Sequence, residues 1–294
     1  MPSSKVIRTA LLTGAGGFTG RYLESALQQS GYQVARLDPS GPQPCDLTSP
    51  ESVEELVLQA QPDVAVHLAA VTFVAHANPE DFYRVNVMGT MNLLQALAKL
   101  EHAPNRVIIA SSANVYGTPN VDVLAESLCP APVNHYACSK LAMEHMVRNW
   151  FSRLPIIITR PFNYTGPGQA EHFLVPKIVR HFRERAPFIE LGNLEVSRDY
   201  SDVEDVVEIY LALLESTVHS EIVNICSGRA IALLDIIAMM KEIAGYEIKV
   251  KINPDFVREN EVSRLVGSVA KLRSLVDIPP PRPFAETLRR MYDS

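Results

Sequence analysis

A doubly wound α/β fold on a parallel sheet is predicted by three features of this sequence. Short apolar runs alternate with helical patterns through the first half, a strand-like run breaks into closely spaced glycines, and a second strand ends in a carboxylate. Strands are expected at 6–12, 33–37, 64–68, 106–111 and 155–159, with helices near 19–29, 52–59, 81–100 and 134–151 between them. Right-handed crossovers would then line a ligand site along the carboxyl ends of the strands. Beyond this the pattern is less regular. Residues 171–185 read as a helix, 202–215 as another with Asp202 as N-cap, 222–226 as a strand and 233–244 as a helix. The prolines between 279 and 283 form a stiff extended segment before a terminal helix at 284–291. The expected domains are 1–161, joined by a returning segment 197–226, and a smaller α/β part, 162–294, that covers the substrate.

The first strand runs into Gly14-Ala15-Gly16-Gly17-Phe18-Thr19-Gly20. A buried strand turning sharply into a helix presents backbone N–H groups and the positive end of the helix dipole. Glycines at 14, 17 and 20 let a pyrophosphate approach and the helix pack closely. Three glycines alone often make no more than a tight turn. Here the context is strand, glycines, helix and second strand, ending at Asp38, which is the pattern of a Rossmann-type dinucleotide site. Asp38 stands where the adenosine ribose hydroxyls would donate to it, so NAD(H) is favoured over NADP(H). Arg36 leaves room for the 2′-phosphate of NADP if its side chain swings toward it.

With 47% hydrophobic residues the chain can bury a large core, and a disordered or fibrous protein is excluded. The net charge of −6, without a run of lysines or arginines, argues against a nucleic-acid partner. Cys45, Cys129, Cys138 and Cys226 lack ligand or disulfide spacing, which argues against zinc and fits reduced thiols. No apolar run approaches a membrane span and no signal-peptide pattern opens the sequence, so a soluble, cytoplasmic protein is expected.

Tyr136 and Lys140 lie four apart in a helical segment and share a face. A tyrosine that exchanges protons with a carbonyl or alcohol near neutrality must titrate below its reference of about 10, a shift of roughly 4 kcal/mol. A neighbouring ammonium at about 4 Å could supply most of it. Tyr-x-x-x-Lys is frequent by chance. The strand before Ser111-Ser112, however, ends in hydroxyls at the carboxyl edge of the sheet, where Ser112 could bond the same reacting oxygen.

Gly14, Gly17, Gly20, Ser112, Tyr136 and Lys140 together resemble the extended short-chain dehydrogenase/reductase family, which modifies nucleotide-linked sugars. The likeness spans nearly the whole chain. It includes His67-Leu68-Ala69-Ala70, Asn86 in Asn86-Val87-Met88-Gly89-Thr90, and the stretch from Arg160 through Asn163 to Gly168. The resemblance implies that Ser112 orients the substrate, Tyr136 is the acid or base, and Lys140 holds the nicotinamide ribose and tunes the tyrosine. It places Phe18, Thr19, Asp46, Leu47, Leu68, Ala69, Ala70 and Asn86 at the cofactor, with Asp46 meeting the adenine amino group. His67 and Asn86 could equally be buried polar residues satisfied by backbone. Asn114, Asn163, Val175, Lys177, Arg198, Arg258 and Glu261 are implied on the substrate side, the arginines on phosphate oxygens and Glu261 on the nucleotide ribose.

Dehydratases of this family resemble one another in carrying carboxylates just after the catalytic hydroxyl, and this chain has Ala113 and Asn114. Elimination therefore lacks its acid and base. The resemblance implies a reductase of a GDP-linked 4-keto-6-deoxyhexose, although Glu259 and Gly267-Ser268 depart from the pattern and keep UDP and dTDP sugars open. A nucleotide-sugar 4-epimerase with the same three residues is the alternative, and a non-catalytic NAD(P)-sensing regulator is another. Apolar residues on 81–100 and 134–151, including Met143, Met146, Val147, Trp150 and Phe151, suggest a homodimer joined through these helices.

Overall fold

The computed structural model describes residues 8–39, 44–72, 78–257 and 264–294. Its elements begin with β1 (Arg8–Thr13), α1 (Phe18–Gln29), β2 (Tyr32–Leu37), α2 (Pro50–Ala60), β3 (Val64–His67), α3 (Pro79–Tyr83), α4 (Thr90–Leu97) and β4 (Arg106–Ala110). There follow β5 (Val123–Leu124), α5 (His135–Arg148), β6 (Ile156–Pro161), β7 (Asn163–Thr165), α6 (Leu174–Arg183), β8 (Phe188–Leu191), β9 (Ser197–Asp202) and α7 (Val203–Glu215). The last are β10 (Glu221–Ile225), β11 (Ala230–Ala232), α8 (Leu233–Ala244), β12 (Lys249–Ile252), β13 (Arg264–Gly267), α9 (Ala270–Leu275) and α10 (Phe284–Asp293).

Six parallel strands form the main sheet in the order β10-β6-β4-β3-β1-β2. Its strands are covered on both faces and therefore read as apolar runs. Ala10 and Leu12 of β1 pack with Leu23 and Leu27 of α1 and with Val206 and Tyr210 of α7, whereas Leu11 faces Val53, Leu93 and Met143 on α2, α4 and α5. From β1 the chain goes one way to β2 and the other way to β3. This switch point opens a crevice at the carboxyl ends of β1 and β3.

The smaller part packs α6, α8 and α10 around Ile178, Phe182, Ile236, Met240 and Leu288, with β8 and β12 as a parallel pair beside them. Between the two parts runs β9, which pairs with β7, β11 and β13. Asp199 on β9 is fully buried and takes N–H bonds from Ser227, Gly228 and Gly267 plus the Ser227 hydroxyl, so one carboxylate ties three segments together. The segment α7–β10 returns to the main sheet, while β9 belongs to the connecting one. Asp202 caps α7 by accepting from the Glu204 N–H at 2.8 Å.

Two expected helices differ in detail. The stretch near 81–100 is helical without a break from Pro79 to Leu97, but α3 passes through one π-helical turn, Arg84–Gly89, before α4 starts. That turn buries Asn86 and brings Gly89 against Leu47, where a Cβ would lie 3.1 Å from the leucine Cβ. The helix expected from 171 starts at Leu174, after a run of turns. Among the described residues no helix is long and apolar enough to cross a membrane.

Candidate active site

The glycine turn is built by close approach. Gly14 has φ of +71°, and a Cβ on it would lie 2.8 Å from the Ala69 nitrogen. A Cβ on Gly20 would lie 2.1 Å from the Gly14 carbonyl oxygen, so this glycine serves the packing of α1 on the turn. Gly17 caps α1 without a side chain, which leaves first-turn N–H groups directed into the crevice. The crevice is a cavity of about 370 Å³ bounded by Gly14, Gly17, Asp38, Asp46, Leu47 and Ala70. Gly16, Thr48, Val71 and Val85 also bound it and were not singled out from the sequence. Asp38 accepts the Gly16 N–H at 2.9 Å. Asp46 accepts from the Thr48 N–H and hydroxyl, both at 2.8 Å, and these bonds hold its carboxyl below the usual range. Glycines at the points of closest approach, an uncapped helix start and a carboxylate at the tip of β2 fit a dinucleotide.

A buried hydrogen-bond chain links β1, β3 and the start of α4. Thr13 Oγ1 lies 2.7 Å from His67 Nδ1, and His67 Nε2 lies 2.9 Å from Thr90 Oγ1. The Thr90 hydroxyl donates to the Asn86 carbonyl at 2.7 Å, so it accepts from Nε2–H. Burial, and secondarily the Lys140 charge, push the imidazole down to about 3. Asn86 is fully buried, accepting from the Val71 N–H and donating to the Val71 carbonyl and the Ser139 hydroxyl. These bonds position the strap after β3. Leu68 packs into the cluster beneath α1, while Ala69 and Ala70 are half-buried along the strap. Phe18 stacks on Tyr164, and Thr19 bonds the Tyr164 hydroxyl at 2.7 Å.

At the end of β4, Ser111 donates to Glu144 at 2.6 Å and Ser112, half-buried, caps the turn Ala113–Tyr116 by accepting the Asn114 N–H at 3.2 Å. Asn134 caps α5 and sets Tyr136 in its first turn, within hydrogen-bonding reach of Ser112. Lys140 follows one turn later, 2% exposed, donating to the Ala110 carbonyl at 2.7 Å. Burial draws its ammonium down to about 8, against the opposing pull of Glu144.

Burial pushes the Tyr136 phenol up to about 12, and Ser112 is the group that draws it back. The Lys140 ammonium bonds a backbone carbonyl, with the Glu144 carboxylate near by. Glu144 itself forms a buried, two-pronged ion pair with Arg160, at 2.9 Å and 2.6 Å. Tyr136, Lys140 and Glu144 share one face of α5 at spacing four, a signal present in the sequence that had not been followed past the lysine.

On the substrate side Asn163 is exposed, with its amide donating to the Asp199 carbonyl at 3.2 Å, and Arg198 adjoins it on β9, donating to the Ser197 carbonyl at 2.9 Å. Asn114 is exposed beside Ser112. Val175, 2% exposed, has its side chain in the core of the smaller part. Lys177 donates to the Glu190 carbonyl at 2.9 Å and lies 4.6 Å over the Phe256 ring, so its ammonium is engaged within the smaller part. Arg258 and Glu261 lie outside the described residues. No cluster of three metal-ligating side chains occurs among the described residues.

The NAD dependent epimerase/dehydratase family matches residues 10–226 of this chain. The chain belongs to that family. It is 38% identical over 266 residues, 90% of each protein, to GDP-6-deoxy-D-talose 4-dehydrogenase of Aggregatibacter actinomycetemcomitans. It is 34% identical over 289 residues, 95% of this chain and 94% of the relative, to GDP-6-deoxy-D-mannose reductase of Pseudomonas aeruginosa. The crystal structure of RMD from Pseudomonas aeruginosa complexed with NADPH superposes with a TM-score of 0.87 at 31% identity, covering 97% of this chain and 98% of that one. The Rossmann-type sheet and the strand, glycine and helix order of the site are therefore family features carried by this chain.

Proposed function

We propose that this family member is an NAD(P)H-dependent reductase of the C4 keto group of a GDP-linked 4-keto-6-deoxyhexose. The observation that carries the reading is the Ser112, Tyr136 and Lys140 cluster at the carboxyl edge of the sheet, beside a dinucleotide crevice and without a carboxylate in the turn Ala113–Tyr116. Hydride transfer needs a proton donor at the reacting oxygen. Elimination needs an acid and a base that this turn lacks.

A reduced nicotinamide bound along the crevice supplies the hydride. Tyr136 supplies the proton: its phenol, which burial holds above its ordinary value, is protonated at neutral pH. Ser112 bonds the same oxygen and fixes its distance from the phenol. Lys140, still mostly charged at neutral pH, holds the Ala110 carbonyl and presents a positive field to the site as Tyr136 loses its proton. Asn163, Asn114 and Arg198 take the nucleotide-sugar side, with the guanidinium on the diphosphate.

GDP is supported by the two GDP-deoxyhexose relatives, each matching 90% or more of this chain. NADH is favoured by Asp38 at the tip of β2, whose charge opposes a 2′-phosphate. A homodimer would use the outer face of α3 and the turn after it, where Tyr83 and Met88 are 37% and 47% exposed. Met143 and Val147 lie in the core, so they do not contribute to that face.

The test is turnover by the full chain with GDP-4-keto-6-deoxymannose and its dTDP- and UDP-linked counterparts, each with NADH and with NADPH. The reading predicts one reduced cofactor consumed per GDP-sugar reduced. Interconversion of C4 epimers with no cofactor consumed would replace it with the epimerase reading. Dinucleotide binding without turnover on any of these would favour a regulator.

A further inference from the structure

The side chains of β2 alternate between the two faces of the main sheet. Tyr32 and Val34 pack on the α1 side, and Ala35 and Leu37 on the other. Arg36 therefore falls on the α1 face, the face taken two residues later by Asp38, whose carboxylate receives the Gly16 N–H at 2.9 Å. The Arg36 guanidinium is turned back onto α1. It forms a two-pronged ion pair with Glu24, Nε donating to Oε1 at 2.6 Å and Nη2 to Oε2. Glu24 is the better buried partner, its side chain 13% exposed against 38% for Arg36. The two carboxylates of Glu24 and Asp38 both raise the affinity of this guanidinium for its proton, Glu24 more strongly.

We propose that Glu24 is a specificity-determining residue for the cofactor: it holds Arg36 against α1 and so withholds a guanidinium from the 2′-phosphate that distinguishes NADP from NAD. The inference rests on the cofactor reading above. Arg36 lies two residues before Asp38 on the same face of β2, so a ribose held by Asp38 would lie at that end of the strand. Guanidinium forks onto phosphate oxygens more effectively than other side chains, so an Arg36 released from Glu24 has a dianion to turn to. NADH carries no charge at that position and is indifferent to where Arg36 lies. Asp38 still repels the phosphate in either case, so the gain is partial.

The test compares NADH and NADPH dissociation constants, read from nicotinamide fluorescence, for the full chain and the variants Glu24→Ala and Glu24→Ala with Arg36→Ala. The expected result is NADPH bound about tenfold more tightly by Glu24→Ala, equivalent to ~1.4 kcal/mol, with NADH unchanged within about twofold and the NADPH gain lost in the double variant. Unchanged NADPH affinity in Glu24→Ala overturns the proposal. A gain that survives removal of Arg36 overturns it too, as does an equal change for both cofactors, which would mark Glu24 as a structural prop for α1. If the parent protein binds neither dinucleotide, the cofactor reading fails along with the inference. If the parent binds NADH and Glu24→Ala shows no switch, the inference fails alone.

Discussion

Lys140→Met is expected to make the protein more stable at neutral pH while removing activity. The ammonium is 2% exposed, and burial draws it from 10.5 down to about 8. At 1.36 kcal/mol per pH unit, that gap is about 3 kcal/mol. The folded value lies below the unfolded one, so below pH 8 folding keeps a charged amine in a dry site and the penalty is fully present. As pH rises from about 8 to 10.5 the native protein sheds that proton first, and the penalty disappears. Methionine never incurs it, but leaves the Ala110 carbonyl without the bond Lys140 gave it at 2.7 Å, a loss of ~1 kcal/mol. Urea unfolding of parent and variant should therefore show the variant ahead by about 2 kcal/mol at pH 7 and behind by about 1 kcal/mol once the lysine is neutral in both states. Differencing the two proteins cancels the other groups that titrate in alkali. A parent-to-variant difference that does not move between these pH values would refute the reasoning, because the ammonium would then be fully compensated by Glu144.

Tyr136→Phe should lower kcat by about 10²–10⁴-fold with nicotinamide binding retained, checked by steady-state kinetics beside cofactor fluorescence. Glu144→Gln strands the buried Arg160 guanidinium and should destabilise the fold by about 3–5 kcal/mol, whereas Glu144→Leu combined with Arg160→Met should recover most of that in the same urea titration. Gly20→Ala puts a Cβ 2.1 Å from the Gly14 carbonyl oxygen, so it should abolish dinucleotide binding through displacement of α1, read by equilibrium dialysis with NADH.

The first half of the chain was legible because a sheet covered on both faces writes its strands as apolar runs, and because a glycine turn leaves a fixed spacing. β9 was not. Its residues, Ser197-Arg198-Asp199-Tyr200-Ser201-Asp202, look like a polar loop, since the partners that make Asp199 tolerable in the interior lie at Ser227, Gly228 and Gly267, far along the chain. The π-helical turn at Arg84–Gly89 is likewise written in contacts: Asn86 reaches Val71 and Ser139, and neither is visible from local periodicity. At the site, sequence spacing placed Tyr136 and Lys140 on one helical face, but it could not say where the ammonium points. In the folded chain it bonds the Ala110 carbonyl, while burial holds the phenol above its ordinary value. Nor does spacing say which way Val175 faces, because a valine in an amphipathic helix can face either side, and α6 turns this one inward.

Direct hydride transfer to C4, with Tyr136 as proton donor, can be followed with deuterium. Full-length protein would be given NADH deuterated at the transferring position and a GDP-linked 4-keto-6-deoxyhexose, with the product examined by proton NMR. One deuterium is expected at C4 of each product sugar, with transfer slowed by about 10²–10⁴-fold in Tyr136→Phe. A C4 position carrying solvent hydrogen, or sugar turnover that leaves the labelled cofactor untouched, would contradict direct transfer.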